Sequence, residues 1–351
     1  MRLHRAAVLI AAWVAACTGA AAQEFQLEDV PAVASVPIAQ IKPRTVIFAD
    51  QRNDKLADSS TGLIPFEDWA RSRPVQRRFL SLFPSFVEPT LNQQTKLKLS
   101  VYQAEARFRL PRSAAALDLS RYANIALLEQ IDPAVKHRPI TAADAIPNKD
   151  AGAAHNRPPD RRWCEDAKAI CAQSRYMFEG KIPQGIQLAN KLREESKKPI
   201  PDFIEFQSEI MLVTQPHLAE LPMLTGLDST VTGALEQNIF WVNQVIQFGK
   251  LLAVLQQHPT EREAAIATVY ILVAVRNDVL NKQREYSNTP MLRNLVPAQL
   301  LMGKSSFNSG DSLSAGLPKY ARSRIKARRH DGAGMSKISR SRGWHSRSGL
   351  P

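Results

Sequence analysis

Two cysteines in the middle of the chain, Cys164 and Cys171, are the residues best placed to do chemistry. A regular helix would hold their Cα atoms about 10.5 Å apart, and a disulfide needs less than about 7 Å, so a bridge requires a non-helical first turn. The apolar pattern after Asp160 instead fits a helix with both thiols on one face. Both alternatives stay open. Zinc is not expected, because the six residues between the two cysteines do not match the short spacing of zinc-binding cysteine pairs, and no histidine lies close in sequence.

Other candidate chemistry is weaker. Glu205 and Glu209 fall on one face of a predicted strand, about 13 Å apart, which exceeds the roughly 6.5–9.5 Å typical of inverting glycosidases. This pair therefore indicates a solvated strand face. Gly303-Lys304-Ser305 lacks the first glycine of a phosphate-binding loop. The central region has four histidines at no metal-ligand spacing, namely His137, His155, His217 and His258. We predict no catalytic, cofactor-binding or metal-binding residue.

The first 22 residues have the three parts of an export signal. Arg2 and Arg5 begin it, an apolar run follows at 6–16, and small residues end it. Cleavage after Ala22 would release a soluble product. Val14-Ala15-Ala16-Cys17 resembles the lipobox of bacterial lipoproteins, and this resemblance implies a lipidated Cys17 and a membrane-anchored product. With either cleavage site we expect the mature chain to be exported, to the periplasm or out of the cell.

The net charge of +13 belongs to the ends of the chain. Residues 319–351 hold ten Lys and Arg against one Asp, and Arg2 and Arg5 add two more positive charges. A net charge of about +2 remains for residues 23–318. This is too small for a positively charged surface that binds nucleic acid, so no nucleic-acid partner is expected. The basic tail should be disordered and contact at most anionic lipid, weakly and with strong salt dependence.

Three segments are predicted to be strands. Residues 45–49 have the β-branched and aromatic content of a short strand, and residues 203–213 alternate between apolar and polar side chains. Residues 96–110 alternate with one change of parity, which indicates a bulge near Val101 and Tyr102. No apolar stretch after the N-terminus approaches the roughly 20 residues of a membrane span, so none is expected in the mature chain.

The C-terminal half predicts a helical hairpin. Residues 232–257 place Leu235, Ile239 and Val242 on one helical face, and the Thr260-to-Glu263 sequence has the form of a capping box. Residues 264–275 are apolar on every side, which is typical of a buried helix. The predicted fold class is therefore α+β, with a mostly helical C-terminal half around this hairpin and a few antiparallel strands.

Composition shifts divide the chain into six parts. Prolines concentrate between the two predicted structured parts and indicate a linker or a long loop. The predicted parts are a signal peptide at 1–22 (or 1–16 in a lipoprotein), a disordered lead-in at 23–44, an N-terminal α+β part at 45–131, the Pro-rich segment at 132–162, a helix-rich part at 163–318 and the basic tail at 319–351.

These observations favour an exported cell-envelope protein that acts by non-catalytic binding or assembly. Two alternatives remain: an envelope hydrolase whose active site is dispersed along the sequence, and a periplasmic carrier of an apolar ligand. The partner would be an unknown envelope protein or small ligand. No cofactor is predicted.

Overall fold

The computed structural model arranges ten β-strands in one mixed sheet. It describes residues 26–58, 62–83, 86, 88–122, 124–126, 135–149, 157–158, 160–177, 203–227, 229–243 and 246–276. All of these residues belong to one compact unit. The strands are β1 (Gln26–Asp29), β2 (Thr45–Asp50), β3 (Ile64–Pro65), β4 (Leu99–Leu110), β5 (Val135–Pro139), β6 (Ile170–Met177), β7 (Phe203–Leu212), β8 (Val231–Val242), β9 (Ile246–Gln257) and β10 (Ala265–Arg276).

The strand order is β1-β2-β4-β10-β9-β8-β7-β6-β5, and β3 pairs with β4 beside this path. The pair β1–β2 is parallel and all the other pairs are antiparallel. The centre consists of the twelve-residue strands β4, β8, β9 and β10. Because β4 pairs with β10 along its whole length, residues far apart in sequence lie in neighbouring strands.

Five short α-helices occur in the described chain: α1 (Phe66–Ser72), α2 (Pro74–Ser81), α3 (Glu88–Thr95), α4 (Ile146–Lys149) and α5 (Leu221–Thr225). Pro74 begins α2, where a missing amide hydrogen costs no helical hydrogen bond. In the described part of the chain, no helix has the length and apolar character that a membrane crossing requires.

Both faces of the central sheet are buried. On one face, Phe66, Trp69, Phe79 and Phe83 from the α1–α2 region form a core with Phe248 and other residues of β9 and β10. On the opposite face, alternate residues of eight strands form a second apolar cluster that includes Phe48, Phe108 and Tyr176. The central strands therefore carry apolar residues on both faces. Their sequences do not show the alternation of apolar and polar residues that is usual for a strand with one face in solvent.

The predicted fold class is wrong. The described chain is mostly β, and the segments expected to form a helical hairpin are the strands β8, β9 and β10. The capping-box sequence lies in the turn between β9 and β10, where the His258 amide donates to the Ala264 carbonyl (3.0 Å). A strand covered on both faces reads as a nearly continuous apolar run, so its period of two is lost.

The three predicted strands are present as β2, β4 and β7. The predicted bulge in β4 is absent, since its register with β10 is unbroken from Leu99 to Leu110. The change of alternation in the sequence arises because β4 buries apolar residues on both faces. Tyr102 and Phe108 face one apolar cluster, whereas Leu99 and Val101 face the other. The division of the chain into parts remains a prediction.

Candidate functional site

Cys164 and Cys171 form a disulfide, with their Cα atoms 5.8 Å apart. The helix considered for this segment is not present. Residues 160–169 make turns and bends, and Cys171 is the second residue of β6. Cys164 has a φ of 62°, which is left-handed backbone and cannot belong to a regular right-handed helix. The bridge fastens the loop that precedes β6 to the strand itself.

Glu209 on β7 lies beneath this loop and has no exposed surface (0%). Its Oε1 accepts a hydrogen bond from Arg161 Nη2, and its Oε2 accepts from Arg161 Nη1 (3.0 Å) and from the Cys164 amide (2.7 Å). Cys171 Sγ lies 4.0 Å from Oε2. The Glu209 carboxylate is therefore held by the Arg161 guanidinium and by the Cys164 backbone amide. The expectation of a solvated strand face is wrong for Glu209.

Sheet register brings further polar residues beside Glu209. Asn238 on β8 pairs with Glu209 on β7, and Lys250 on β9 pairs with Asn238. Glu236 lies two residues before Asn238 and so points to the same face of the sheet. We call Arg161, Glu209, Glu236, Asn238 and Lys250 the buried charge cluster. Three neighbouring strands supply four of its members, and Arg161 comes from the segment just before Cys164.

Lys250 donates a hydrogen bond from Nζ to Asn238 Oδ1 (2.5 Å). Its Nζ also lies 4.6 Å from the ring centroid of Phe86, 5.3 Å from that of Trp163 and 5.4 Å from that of Phe83. Cations are attracted to the faces of aromatic rings at such distances. These rings and Glu236 thus surround an ammonium group that is removed from water.

Burial dominates the proton equilibria of the cluster. Desolvation raises the pKa of Glu236 to about 8, against the opposing charge of Lys250. Desolvation also lowers the pKa of Lys250 to about 7, although Glu236 and Glu209 favour its charged form. Burial opposes the charge of Arg161 as well, but hydrogen bonding and charge from Glu209 outweigh burial and raise the Arg161 pKa. The Glu236–Lys250 pair can therefore change protonation near neutral pH.

A second polar group connects β4 and β10 to α5. Arg107 donates from Nη2 to the Thr225 carbonyl (2.6 Å) and from Nε to Thr268 Oγ1 (3.3 Å). The Tyr270 hydroxyl donates to the Leu224 carbonyl (3.0 Å). These bonds satisfy carbonyls at the end of α5, which have no partner within the helix. Burial raises the pKa of the adjacent Glu105 to about 7, with Arg107 opposing the shift.

The three histidines within the described chain, His137, His217 and His258, are not members of the buried charge cluster. His137 Nδ1 lies 2.7 Å from Ser174 Oγ, across the β5–β6 pair. His258 Nδ1 accepts hydrogen bonds from the amides of Thr260 (3.3 Å) and Glu261 (3.1 Å) in the β9–β10 turn. His217 begins a short 3₁₀ turn before α5. Cys17, His155, Gly303-Lys304-Ser305 and the basic tail lie outside the described residues.

One described surface pocket has a volume of about 180 Å³ and lies at the helices α1–α3. Its lining residues are Ala70, Arg71, Arg77, Leu91, Asn92 and Thr95. A typical small-molecule site has at least about 300 Å³, so this pocket suits at most a very small ligand.

The sequence did not reveal that Glu209, Glu236 and Lys250 belong to one buried charge cluster. The available signal was a charged residue within an apolar strand, such as Lys250 between Phe248 and Leu252. The structure also brings Glu209 beside both cysteines, with the possible ligand atoms of all three residues within 4.8 Å of one another. Sequence spacing could not reveal this group, because Glu209 comes from another strand.

No protein-family model matches the chain, and no curated protein is detectably similar to it. Among solved structures, norcoclaurine synthase from Thalictrum flavum is similar at 10% identity and a TM-score of 0.31, over 61% of this chain and 90% of that chain. The di-domain ARO/CYC StfQ from the steffimycin biosynthetic pathway is similar at 11% identity and a TM-score of 0.23, over 61% and 74%. Similarities this weak support no statement about the fold or the function of this chain.

Proposed function

We propose that this protein is exported to the cell envelope and acts there by non-catalytic binding or assembly. The observation that carries the proposal is the Cys164–Cys171 disulfide, which lies next to Arg161 and Trp163, the two residues that contact Glu209 and Lys250. Disulfides persist in oxidising compartments and are rare where thiols are kept reduced. A protein that contains this bridge is suited to the periplasm or the cell exterior, and the signal-like N-terminus points to the same compartments.

The use of the buried carboxylates supports a non-catalytic role. Glu209 is occupied by Arg161 and the Cys164 amide, and Glu236 lies beside Lys250 within the fold. A hydrolytic carboxylate must reach its substrate directly or through one water molecule. In the described residues, the Glu209 carboxylate is held by internal hydrogen bonds and the Glu236 carboxyl is buried away from the surface, and this favours binding or assembly over the hydrolase alternative.

The two edge strands of the sheet support protein contact. In β1, Glu28 and Asp29 are exposed, whereas in β5 Lys136 and Arg138 are exposed. Edge strands offer backbone groups for pairing, and like charges discourage the pairing of β1 with β1 or of β5 with β5. The acidic β1 edge is instead complementary to a basic edge, such as the β5 edge of a second copy, and this supports assembly. The basic tail would add weak contact with anionic lipid.

Mass spectrometry of the protein purified from its native envelope tests the proposal. We expect a chain that begins after Ala22 or at a lipidated Cys17, with Cys164 and Cys171 bridged, and a protein partner that is captured by cross-linking before lysis. A matched Cys164→Ser/Cys171→Ser variant separates bridge formation from export. A chain that retains Met1 and carries both thiols reduced would refute export, and a copurified apolar ligand would favour the carrier alternative.

A further inference from the structure

Reduction of the disulfide would turn Cys164 and Cys171 into two thiols beside the Glu209 carboxylate. In the bridged state the two Sγ atoms are bonded to each other, and they and a Glu209 oxygen lie within 4.8 Å of one another. Thiolate sulfur and carboxylate oxygen are both established zinc ligands. Glu209 and Cys171 are buried, while Cys164 is partly exposed. Cys164 therefore provides a route by which reductant and metal can reach the group.

Charge balance favours a divalent metal ion when the bridge is reduced. The disulfide has no charge, and Arg161 pairs with Glu209 beside it. Two thiolates at this place would add two negative charges next to a fully buried carboxylate, which is costly in a low-dielectric interior. A zinc ion with two thiolates again has no net charge. The zinc-bound pair of cysteines therefore has the same net charge as the disulfide, and Glu209 and Arg161 keep their own charge balance.

We propose that the reduced chain binds one zinc ion through Cys164 Sγ, Cys171 Sγ and Glu209 Oε2, so that the three residues form a redox-controlled metal site. A dithiol supplies two electrons and two protons to the bridge and becomes a disulfide itself. Zinc then replaces the two thiol protons, which pass to the solvent. A water molecule completes the four-coordinate shell that zinc favours.

Arg161 becomes the positioning residue of this site. Its Nη2 remains on Glu209 Oε1, whereas Nη1 gives up its 3.0 Å bond to Oε2 as the metal takes that oxygen. Metal-ligating carboxylates are commonly held by such an outer hydrogen bond, and loss of the outer partner lowers metal affinity about 10–100-fold. The site thus uses a contact that the oxidised protein already makes.

Zinc retention by the full chain tests the site. In a Cys17→Ser background, the chain is reduced with a phosphine without oxygen, incubated with zinc chloride, dialysed and analysed by elemental mass spectrometry. We expect one zinc per reduced chain, none above background in the oxidised chain, and protection of Cys164 and Cys171 from alkylation. Equal zinc retention by the reduced and oxidised chains would overturn the proposal.

Variants identify the ligands. Glu209→Gln should weaken zinc binding by at least about 10-fold, whereas Glu205→Gln, four residues away on the same strand, should leave it unchanged. If Glu209→Gln does not fold, cobalt(II) provides a second measurement on the otherwise unchanged reduced chain. Thiolate-to-cobalt absorption that disappears in Cys171→Ser supports the site, and its absence from the reduced chain refutes it.

This inference goes beyond the proposed function and does not rest on it. The native state of the two cysteines tests export, whereas zinc binding after reduction tests the metal site. Either result can fail while the other holds.

Discussion

Glu205 and Glu209 lie four residues apart on β7, yet their surroundings differ greatly. Glu205 pairs with Arg175, whose side chain is half exposed (50%). Glu209 pairs with Arg161, whose side chain is 18% exposed, and Glu209 itself is fully buried. Exposed ion pairs contribute about 0–1 kcal/mol, whereas removal of one partner from a buried pair costs about 3–5 kcal/mol. Substitutions of Glu205 and Glu209 therefore compare an ion pair near the surface with a buried ion pair on the same strand.

Glu209→Gln should lower the free energy of unfolding by about 3 kcal/mol, because it leaves the Arg161 guanidinium beside the sheet without its counter-charge. Glu205→Gln should lower it by less than about 1 kcal/mol. Urea unfolding of the oxidised chains, followed by circular dichroism, measures both values. Similar losses for the two variants would show that the buried pair has no special structural role.

The Glu236–Lys250 pair predicts a pH dependence of stability. The folded pKa of Glu236 is raised from 4.5 to about 8, so its contribution to stability is fully present below pH 4.5 and is lost as the pH rises towards 8. Relative to Glu236→Gln, the free energy of unfolding of the unmodified protein should fall by up to about 1.4 kcal/mol per pH unit within that window.

Urea unfolding of both proteins at pH 5, 6, 7 and 8 measures this difference. Lys250 has the opposite sign: its folded pKa is lowered from 10.5 to about 7, so its contribution is lost as the pH falls from about 10.5 towards 7. Lys250→Met therefore provides a control, since it should change the pH profile mainly above 7. A constant difference between the unmodified protein and Glu236→Gln from pH 5 to 8 would contradict the assigned burial of Glu236.

At the scale of elements, the sequence predicted strands from two signals. The β-branched and aromatic content indicated β2, and alternation of apolar and polar residues indicated β4 and β7. β10 does not alternate, because all but its last residue are buried, and the run reads equally as a buried helix. Its signal was composition, since Val and Ile are frequent in it and β-branched residues favour strands.

The site was less predictable than the strands. The two cysteines are visible in the sequence, and their spacing and surroundings leave a disulfide as one of two alternatives. Glu209, Asn238 and Lys250 meet only through the registers of β7, β8 and β9. A one-residue shift of any strand would turn its residue to the other face, so no local pattern can specify this cluster.

Helix α5 predicts a local backbone effect at its C-terminal end. Gly226 follows the helix with a φ of 62°, and its amide donates to the Pro222 carbonyl (3.0 Å). A Cβ atom added at Gly226 would meet no atom within 4 Å, so a substitution there tests conformation without a steric clash.

Gly226→Ala should lower the free energy of unfolding by about 1 kcal/mol, because alanine resists the left-handed conformation. Gly226→Asn should cost less, since asparagine enters that conformation more readily. Chemical denaturation of the three proteins gives the comparison. An alanine variant as stable as the unmodified protein, or an asparagine variant less stable than the alanine one, would contradict the assigned backbone conformation.

At the scale of the whole molecule, one sheet includes strands from both sides of the proline-rich segment. β4 precedes that segment and β10 follows it, and twelve residue pairs join the two strands. β5 lies within the segment itself and pairs with β6. Separation of the strands before 131 from those after 163 would expose apolar side chains on both faces of the central sheet.

We therefore expect the described strands to unfold in one cooperative transition. Trp69 lies on α1, whereas Trp163 and Trp241 lie in the later part of the chain, so variants that each retain one of these tryptophans report on different regions. Their fluorescence transitions in urea should coincide with one another and with the loss of circular dichroism. Because β10 completes the pairing of β4, a chain that ends before β10 should not show the Trp69 transition. Separate midpoints for Trp69 and Trp163 would instead indicate two independently stable domains joined at the proline-rich segment.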